Sequence, residues 1–127
     1  MAGDAVIVAG FGFRAAASVA SLKDALARAG GDTCVACLAT AADKAGAPPF
    51  RQLARDLHLP VRGIDSAGLA AQYPPTQSQV SLCARGTGSV AEAAALAAAG
   101  PGARVLRPRV ISADGMATCA LAEGRDP

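Results

Sequence analysis

The residues of this sequence that could do chemistry are concentrated in short glycine-rich segments. The first, "GFGFRA" (Gly10 to Ala15), follows an apolar run and has the Gly-x-Gly-x-x-Ala outline of a dinucleotide-binding turn. Because glycine lets a backbone approach an anion closely, Gly10 and Gly12 are candidate binding residues, with Arg14 beside them as a cation. A tight turn that binds nothing is the alternative interpretation.

A nucleotide-dependent enzyme is one hypothesis for this turn. Dinucleotide sites place an acidic residue at the end of the second strand, where it binds the ribose. Here that position is Ala39 or Thr40, and Asp43 lies beyond it in a predicted loop. The first helix is also predicted to begin at Ser18, too late for Ala15 to act as the third glycine of the motif. The sequence therefore disfavours a nucleotide but leaves it as an alternative, and we expect no cofactor.

A second glycine segment, Gly86-Thr87-Gly88, leads directly into a predicted helix. Ser89 is a good N-cap residue, and Glu92 three positions later completes a capping box. The glycine amides, the Thr87 hydroxyl and the positive end of the helix could together hold an anion. Helix capping alone is the alternative for Ser89 and Glu92.

Residues that could transfer protons are few. Asp43 and Lys44 could form an acid–base pair in the loop after the second strand, and Glu92 could act as a base if it does not cap. The sole histidine, His58, lies at the end of a predicted helix with no Ser or Cys partner suggested by the sequence. No spacing typical of hydrolysis or nucleophilic attack is present. Binding is better supported than catalysis, and whether the protein is an enzyme stays open.

Two of the four cysteines have the C-x-x-C spacing of a redox pair or half of a zinc site, namely Cys34 and Cys37. The surrounding segment Thr33–Ala39 is typical of a buried strand, however, and residues three apart on a strand point to opposite faces. Cys83 and Cys119 stand alone, so no second pair completes a zinc site. We therefore expect buried thiols and no metal ion.

Composition excludes several classes of function. The net charge of the 127 residues is +2, too small to favour nucleic acid as a partner. Lys23 and Lys44 are the only lysines among the 12 basic residues, and arginine is the better shaped side chain for carboxylates and phosphates. No apolar run is long enough to cross a membrane and no signal peptide precedes the first apolar stretch, so a cytoplasmic protein is expected.

Hydrophobic periodicity and turn residues predict alternating strands and helices that should form a single domain over residues 1–127. The predicted elements are strand 5–9, helix 18–29, strand 33–39, helix 48–58, strand 61–64, a short helix to residue 71, a segment 79–85 that fits a strand or a helix and for which we favour the helix, helix 89–99, and strands 104–111 and 117–123. The last two strands are joined through "SADG", a hairpin signal. This order predicts a three-layer α/β fold with a mostly parallel sheet flanked by helices and a C-terminal β-hairpin.

Four segments carry a resemblance to a known family. They are "GFGFR" after the first strand, "ATAADK" after the second, "GTGSVAEAAAL", and the terminal "ATCALAE". In this order they resemble the CobE and CbiG C-terminal domain family of cobalamin biosynthesis, over nearly the whole chain. Many relatives have Cys where this chain has Phe13, Glu where Ala47 and Pro48 follow the "DK" pair, and Pro where Gly88 stands. A thiol mechanism at the first segment is therefore not available.

The resemblance implies a protein that carries or modifies a precorrin or another corrinoid, with a tetrapyrrole and other pathway enzymes as partners. Precorrins have a ring of carboxylates, which suits a site of glycines and cations. The implied binding residues are Gly10, Gly12, Arg14, Lys44, Gly86, Thr87, Gly88 and Ser89. Arg107 and Arg109 are a weaker pair on one face of a strand, and for them a solvated strand edge is the favoured alternative. We expect the loops that hold them to converge on one cleft. A small interaction module that docks a pathway enzyme or a second copy is the remaining alternative.

Overall fold

The computed structural model describes residues 5–30, 35–65, 90–100 and 103–125. The short helix predicted after Asp65, the helix predicted at 79–85 and the segment Gly86–Ser89 lie outside these ranges. Within them the strands are β1 (Ala5–Phe13), β2 (Cys37–Ala41), β3 (Val61–Ile64), β4 (Arg104–Ile111) and β5 (Ala117–Arg125). The helices are α1 (Val19–Arg28), α2 (Pro48–Leu57) and α3 (Val90–Ala99).

Local sequence accounts for the starts of α1 and α2. Ser18 caps α1, where the sequence predicted the helix to begin, and forms a reciprocal capping box with Ser21. Pro48 and Pro49 open α2, where the missing N–H of proline costs nothing. α2 ends at His58, which adopts a left-handed conformation with φ 56°.

The predicted α/β fold with a C-terminal hairpin is confirmed. The strand order in the sheet is β3-β2-β1-β5-β4, with parallel pairing between β1, β2 and β3 and antiparallel pairing of β5 with both β1 and β4. Of these five described strands, only β5 therefore runs against the common direction. α1 and α2 cover one face of the mixed sheet and α3 covers the other, which gives three layers.

β1 is longer than predicted, and this corrects the interpretation of the first glycine segment. Gly10, Phe11 and Gly12 do not form a turn, because β5 pairs with β1 along its whole length, from Ala5 opposite Arg125 to Phe13 opposite Ala117. Gly10 is also paired with Ala39 of β2. The backbone of this segment lies in a paired β-strand. Its amides therefore do not form the open arrangement that an anion-binding turn has.

The glycines of β1 serve a different purpose, which is close packing of α3. A Cβ atom at Gly10 would overlap the carbonyl oxygen of Ala91 and lie 2.6 Å from the Ala95 nitrogen. A Cβ at Gly124 of β5 would likewise overlap the Ala99 carbonyl oxygen. α3 thus rests directly on the backbones of the two central strands, and only a residue without a side chain fits beneath it.

The two faces of the sheet are packed in different ways. On the α1 and α2 side the core is built of large side chains, which include Phe11, Leu22, Leu38, Phe50, Leu53 and Leu121. On the α3 side the buried residues are mostly alanines, with Val8, Cys37 and Leu96. Because alanine removes little apolar surface from water, this second layer gains stability from the number of close contacts rather than from large side chains.

A polar cluster ties the β4–β5 hairpin to the first turn of α1. The carboxylate of Asp114 accepts hydrogen bonds from the hydroxyls of Ser112 and Ser21 and, at 3.1 Å, from the Met116 amide. These bonds, that from Ser112 first, lower the pKa of Asp114 to about 2. Asp24 accepts from the Ala113 amide at 2.7 Å, which together with Arg28 lowers the pKa of Asp24 as well.

Gly10→Ala should destabilise the protein by about 1–3 kcal/mol or more, because the added methyl group meets backbone that cannot move without lifting α3. Gly46→Ala is the matched control, since a Cβ there has no atom within 4 Å. Urea unfolding of both variants measures the difference. Equal stability of the two variants would show that α3 is not seated on β1 as described.

Asp114→Asn should lower the thermal midpoint at neutral pH and flatten its dependence on pH. The pKa of Asp114 in the folded protein, about 2, is below its ordinary value of 3.8. Its hydrogen bonds therefore stabilise the fold above pH 3.8, and that contribution is lost as the pH falls towards 2. The pKa values of Asp24 and Asp56 are also lowered, so part of the pH dependence of the thermal midpoint remains in the variant. Parallel melting curves for wild type and variant between pH 2 and about 5 would contradict this account.

Candidate functional site at the carboxyl edge of the sheet

The candidate site lies where β1, β2, β3 and β4 end, which we call the carboxyl edge. Strands that run in one direction bring their last residues to the same edge, and open α/β sheets bind ligands there. α3 begins at this edge too, because Val90 lies over Gly12, with 3.5 Å between its Cβ and a Cβ built on the glycine. The N-terminus of a helix and the ends of several strands therefore meet in one region.

Arg14 follows directly on β1 at this edge. Its backbone is fixed on both sides, since its amide donates to the Met116 carbonyl at 2.9 Å and its carbonyl accepts from Ala17 at 3.0 Å. The side chain is exposed and has no ion pair or hydrogen bond within the described part of the chain. A rigid backbone thus presents an uncommitted guanidinium group to solvent.

Lys44 reaches the same edge from the turn between β2 and α2. Its Nζ atom lies 5.1 Å from the centroid of the Phe13 ring, a cation–π contact, and the side chain is half-buried. Phe13 is in turn stacked on the buried Phe50, with 5.7 Å between ring centroids. The structure therefore places Lys44 against the ring of Phe13, and Arg14 is the next residue along the chain from Phe13.

The polar groups at the end of β1 and β2 are engaged with one another. The buried Thr40 hydroxyl donates to the Phe11 carbonyl at 2.8 Å, and Thr118 donates to the Gly12 carbonyl at 3.1 Å. Thr40 stands where a dinucleotide site would need its ribose-binding acid. A hydroxyl turned into the sheet gives the nucleotide alternative no support.

Glu92 lies in the first turn of α3 and is fully buried. Its Oε2 atom accepts a hydrogen bond of 2.9 Å from the backbone amide of Arg109 in β4. This contact, which links α3 to the hairpin, favours a structural role over that of a base. Ser89, the other half of the predicted capping box, lies outside the described residues. Asp43 is exposed in the turn that holds Lys44.

Arg107 and Arg109 lie on β4, which is the last strand of the described sheet. The pairing of β4 with β5 is irregular between Val105 and Arg107 and again between Arg107 and Val110. The alternation that would place both arginines on one face is therefore interrupted at Pro108, and that part of the prediction is not supported. Arg107 is exposed and Arg109 is half-buried.

A groove of about 710 Å³ lies against α2 and β3, and neither Arg14 nor Lys44 is among the residues that line it. His58, at the C-cap of α2, lines it.

Of the cysteines, Cys37 and Cys119 are buried, and burial raises the pKa of both thiols. Cys34 and Cys83 are not among the described residues. Within the described ranges, no group of three His, Cys, Asp or Glu side chains could hold a metal ion, and no helix is long and apolar enough to cross a membrane.

Sequence reasoning missed Phe13 and Phe50 as parts of the edge. The sequence did contain a signal for Phe13: only 3% of the residues are aromatic, and one of these directly precedes Arg14. It also missed the cluster around Asp114, where Ser21 and Ser112 are distant in sequence and had no detectable pattern.

Comparisons with known proteins define the class of protein. The family model described as "Cobalamin synthesis G C-terminus" matches residues 7–122. The chain therefore belongs to this family of cobalamin biosynthesis proteins. Among curated proteins no sequence match reaches significance.

Solved structures include similar chains. CobE, described as a protein from the cobalamin (vitamin B12) biosynthetic pathway, is 32% identical with a TM-score of 0.86, and the match covers 100% of this chain and 96% of CobE. The cobalamin biosynthesis protein chiG from Agrobacterium tumefaciens str. C58 is 34% identical with a TM-score of 0.73, over 95% of this chain and 100% of that one. A putative cobalamin biosynthesis protein G homolog from Sulfolobus solfataricus shares the fold at 16% identity and a TM-score of 0.69, over 93% of this chain and 36% of its own.

Glu92→Ala should cost about 1–3 kcal/mol of stability, because it leaves the Arg109 amide without this acceptor and removes a buried side chain. Glu92→Gln keeps an oxygen that can accept the bond, so its loss should be smaller. Chemical unfolding of the two variants makes the comparison. If both are as stable as the wild type, the contact between α3 and β4 is unimportant and a role for Glu92 in the chemistry regains support.

Proposed function

We propose that the protein binds a carboxylate-bearing tetrapyrrole of the cobalamin pathway at the carboxyl edge. The observation that carries this proposal is that Lys44 lies against the ring of Phe13 and that the exposed Arg14 directly follows Phe13 in the chain. Family membership supports the pathway, and the two cations support an anionic ligand. Corrinoid precursors carry several carboxylates around an apolar ring, which suits two cations at an edge that also presents an aromatic side chain.

The two cations are suited to carboxylates for different reasons. Arg14 is exposed, so its guanidinium can form the paired hydrogen bonds that carboxylates favour. Lys44 is half-buried against Phe13, and a ring does not neutralise its charge or occupy its N–H donors in the way a carboxylate does. A partly desolvated cation of this kind attracts an anion more strongly than one surrounded by water.

The segment Gly86-Thr87-Gly88-Ser89 completes the proposed site. It directly precedes Val90, and Val90 lies over Gly12 at the carboxyl edge. The amides of this segment and the N-terminus of α3 would supply further donors to the ligand. In this proposal Gly12 keeps the end of β1 free of a side chain, whereas Gly10 acts through the packing of α3.

The proposal is one of binding, with the protein as a carrier of its ligand. Of the three acid–base candidates, Glu92 is buried and bound to β4, which favours a structural role. Asp43 and Lys44 are neighbours in one turn and remain the pair that a reaction at this edge would use. The nucleotide alternative has no supporting contact in the described residues.

Arg14→Ala and Lys44→Ala should each weaken binding of hydrogenobyrinic acid by about 1–3 kcal/mol, roughly 5- to 150-fold, because each removes a charge-assisted hydrogen bond. An absorbance titration measures the dissociation constants. Arg62→Ala is the matched control, since Arg62 is exposed on β3 and also lowers the net charge by one when it is replaced.

Thermal melting of the same variants tests the competing explanation. Arg14→Ala should leave the melting midpoint nearly unchanged, and Lys44→Ala should lose only the contact with Phe13, about 0.5–1 kcal/mol. If the two variants melt earlier but bind as the wild type does, the cations are structural. If Arg62→Ala weakens binding as much as they do, only the net charge matters and the site is misplaced.

A further inference from the structure

We propose that the groove beside α2 is a second binding site, for a small organic dianion with an apolar body. Its volume of about 710 Å³ is within the range of small-molecule sites. The groove is lined by neither Arg14 nor Lys44, so the proposal does not depend on the function proposed above. The residues that line it are Ala45, Arg51, Ala54, Arg55, His58, Leu59 and Val61.

The charges that line the groove are of one sign. Arg51 and Arg55 are four residues apart on α2, which places them on the same side of the helix about 6 Å apart along its axis. Two like charges at this spacing weaken a helix. No acidic residue is among the described lining residues. The acid of α2, Asp56, is bound instead to Lys23 at 3.0 Å and to Gln52 at 2.7 Å.

The two guanidinium groups differ in their contacts. The Arg51 side chain has no hydrogen bond or ion pair within the described ranges, and the Arg55 side chain donates to the uncharged Gln52 at 2.9 Å. The carboxylate of Asp56, whose pKa Arg55 helps to lower, offsets part of the charge of Arg55 but does not line the groove. Planar guanidinium groups in this arrangement favour a ligand with two carboxylate or phosphate groups.

The remaining surface of the groove explains why an apolar body is expected. Ala54 is buried, and Leu59 and Val61 are partly buried hydrophobic residues that pack on the core. A ligand that combined two anionic groups with an aromatic or aliphatic portion could use the cations and these side chains together. Inorganic anions would use only the cations.

His58 supports a functional origin of the groove. It adopts a left-handed conformation with φ 56°, in which glycine would fit without strain. The fold accepts a strained residue here that presents an imidazole to the groove. His58→Gly relieves the strain, so this variant separates a structural role of the side chain from a role in binding.

The probes for this site are benzene-1,3-dicarboxylate, benzoate and inorganic phosphate, and binding is followed by amide chemical shifts in NMR. The dicarboxylate should bind more tightly than the other two and shift amides of residues 51–61. Arg51→Ala and Arg55→Ala together should weaken it by about tenfold or more. Arg62→Ala is the control, because strand alternation turns Arg62 to the opposite face from Val61. His58→Gly should bind it more weakly while melting no earlier than the wild type.

Three outcomes would overturn the proposal. One is equal binding of benzoate and the dicarboxylate, and another is a dissociation constant that the two arginine replacements leave unchanged. The third is binding of a hexaglutamate peptide in the groove when the dicarboxylate does not bind, which would identify a docking site for an acidic protein segment. Because Arg14 and Lys44 lie outside the groove, failure here leaves the carboxyl-edge proposal untouched. Failure of that proposal leaves this one untouched as well.

Discussion

The close approach of α3 to the sheet is the constraint on which the rest of the structure depends. At Gly10 and Gly124 the helix packs on backbone atoms rather than on side chains. Its distance from the central strands is therefore set by backbone-to-backbone contact, and no smaller residue could bring it closer. That distance places Glu92 within reach of the β4 backbone and places Val90 over the end of β1. The geometry of the carboxyl edge is therefore a consequence of two glycines in the interior of strands.

This constraint also explains where sequence reasoning succeeded and where it could not. The bounds of β3 and β4, and those of the helices to within a residue or two, followed from periodicity, prolines and caps, which are local signals. The continuation of β1 through "GFGF" is not local, because it depends on pairing with a strand more than a hundred residues away. A Gly-x-Gly pair has the same appearance whether it turns a chain or makes room for a helix, and only the partner element distinguishes the two.

The candidate site, too, could be predicted from the sequence only in part. Arg14 and Lys44 were predictable from the rule that loops after parallel strands share an edge. The aromatic pair beside Lys44 was not, since Phe13 and Phe50 come from separate elements and meet only in the folded protein. The grouping of Arg51, Arg55 and His58 was likewise hidden, because it needs both the face of a helix and the left-handed residue that ends it.

The irregular outer strand has a consequence for how copies of the protein can meet. An exposed strand edge normally offers a row of unpaired amides and carbonyls to any neighbouring chain. β4 lacks one amide at Pro108, and its pairing with β5 slips twice along its length. A second sheet cannot extend from such an edge in regular register, so the irregular segment around Pro108 opposes strand-by-strand polymerisation on this side of the molecule.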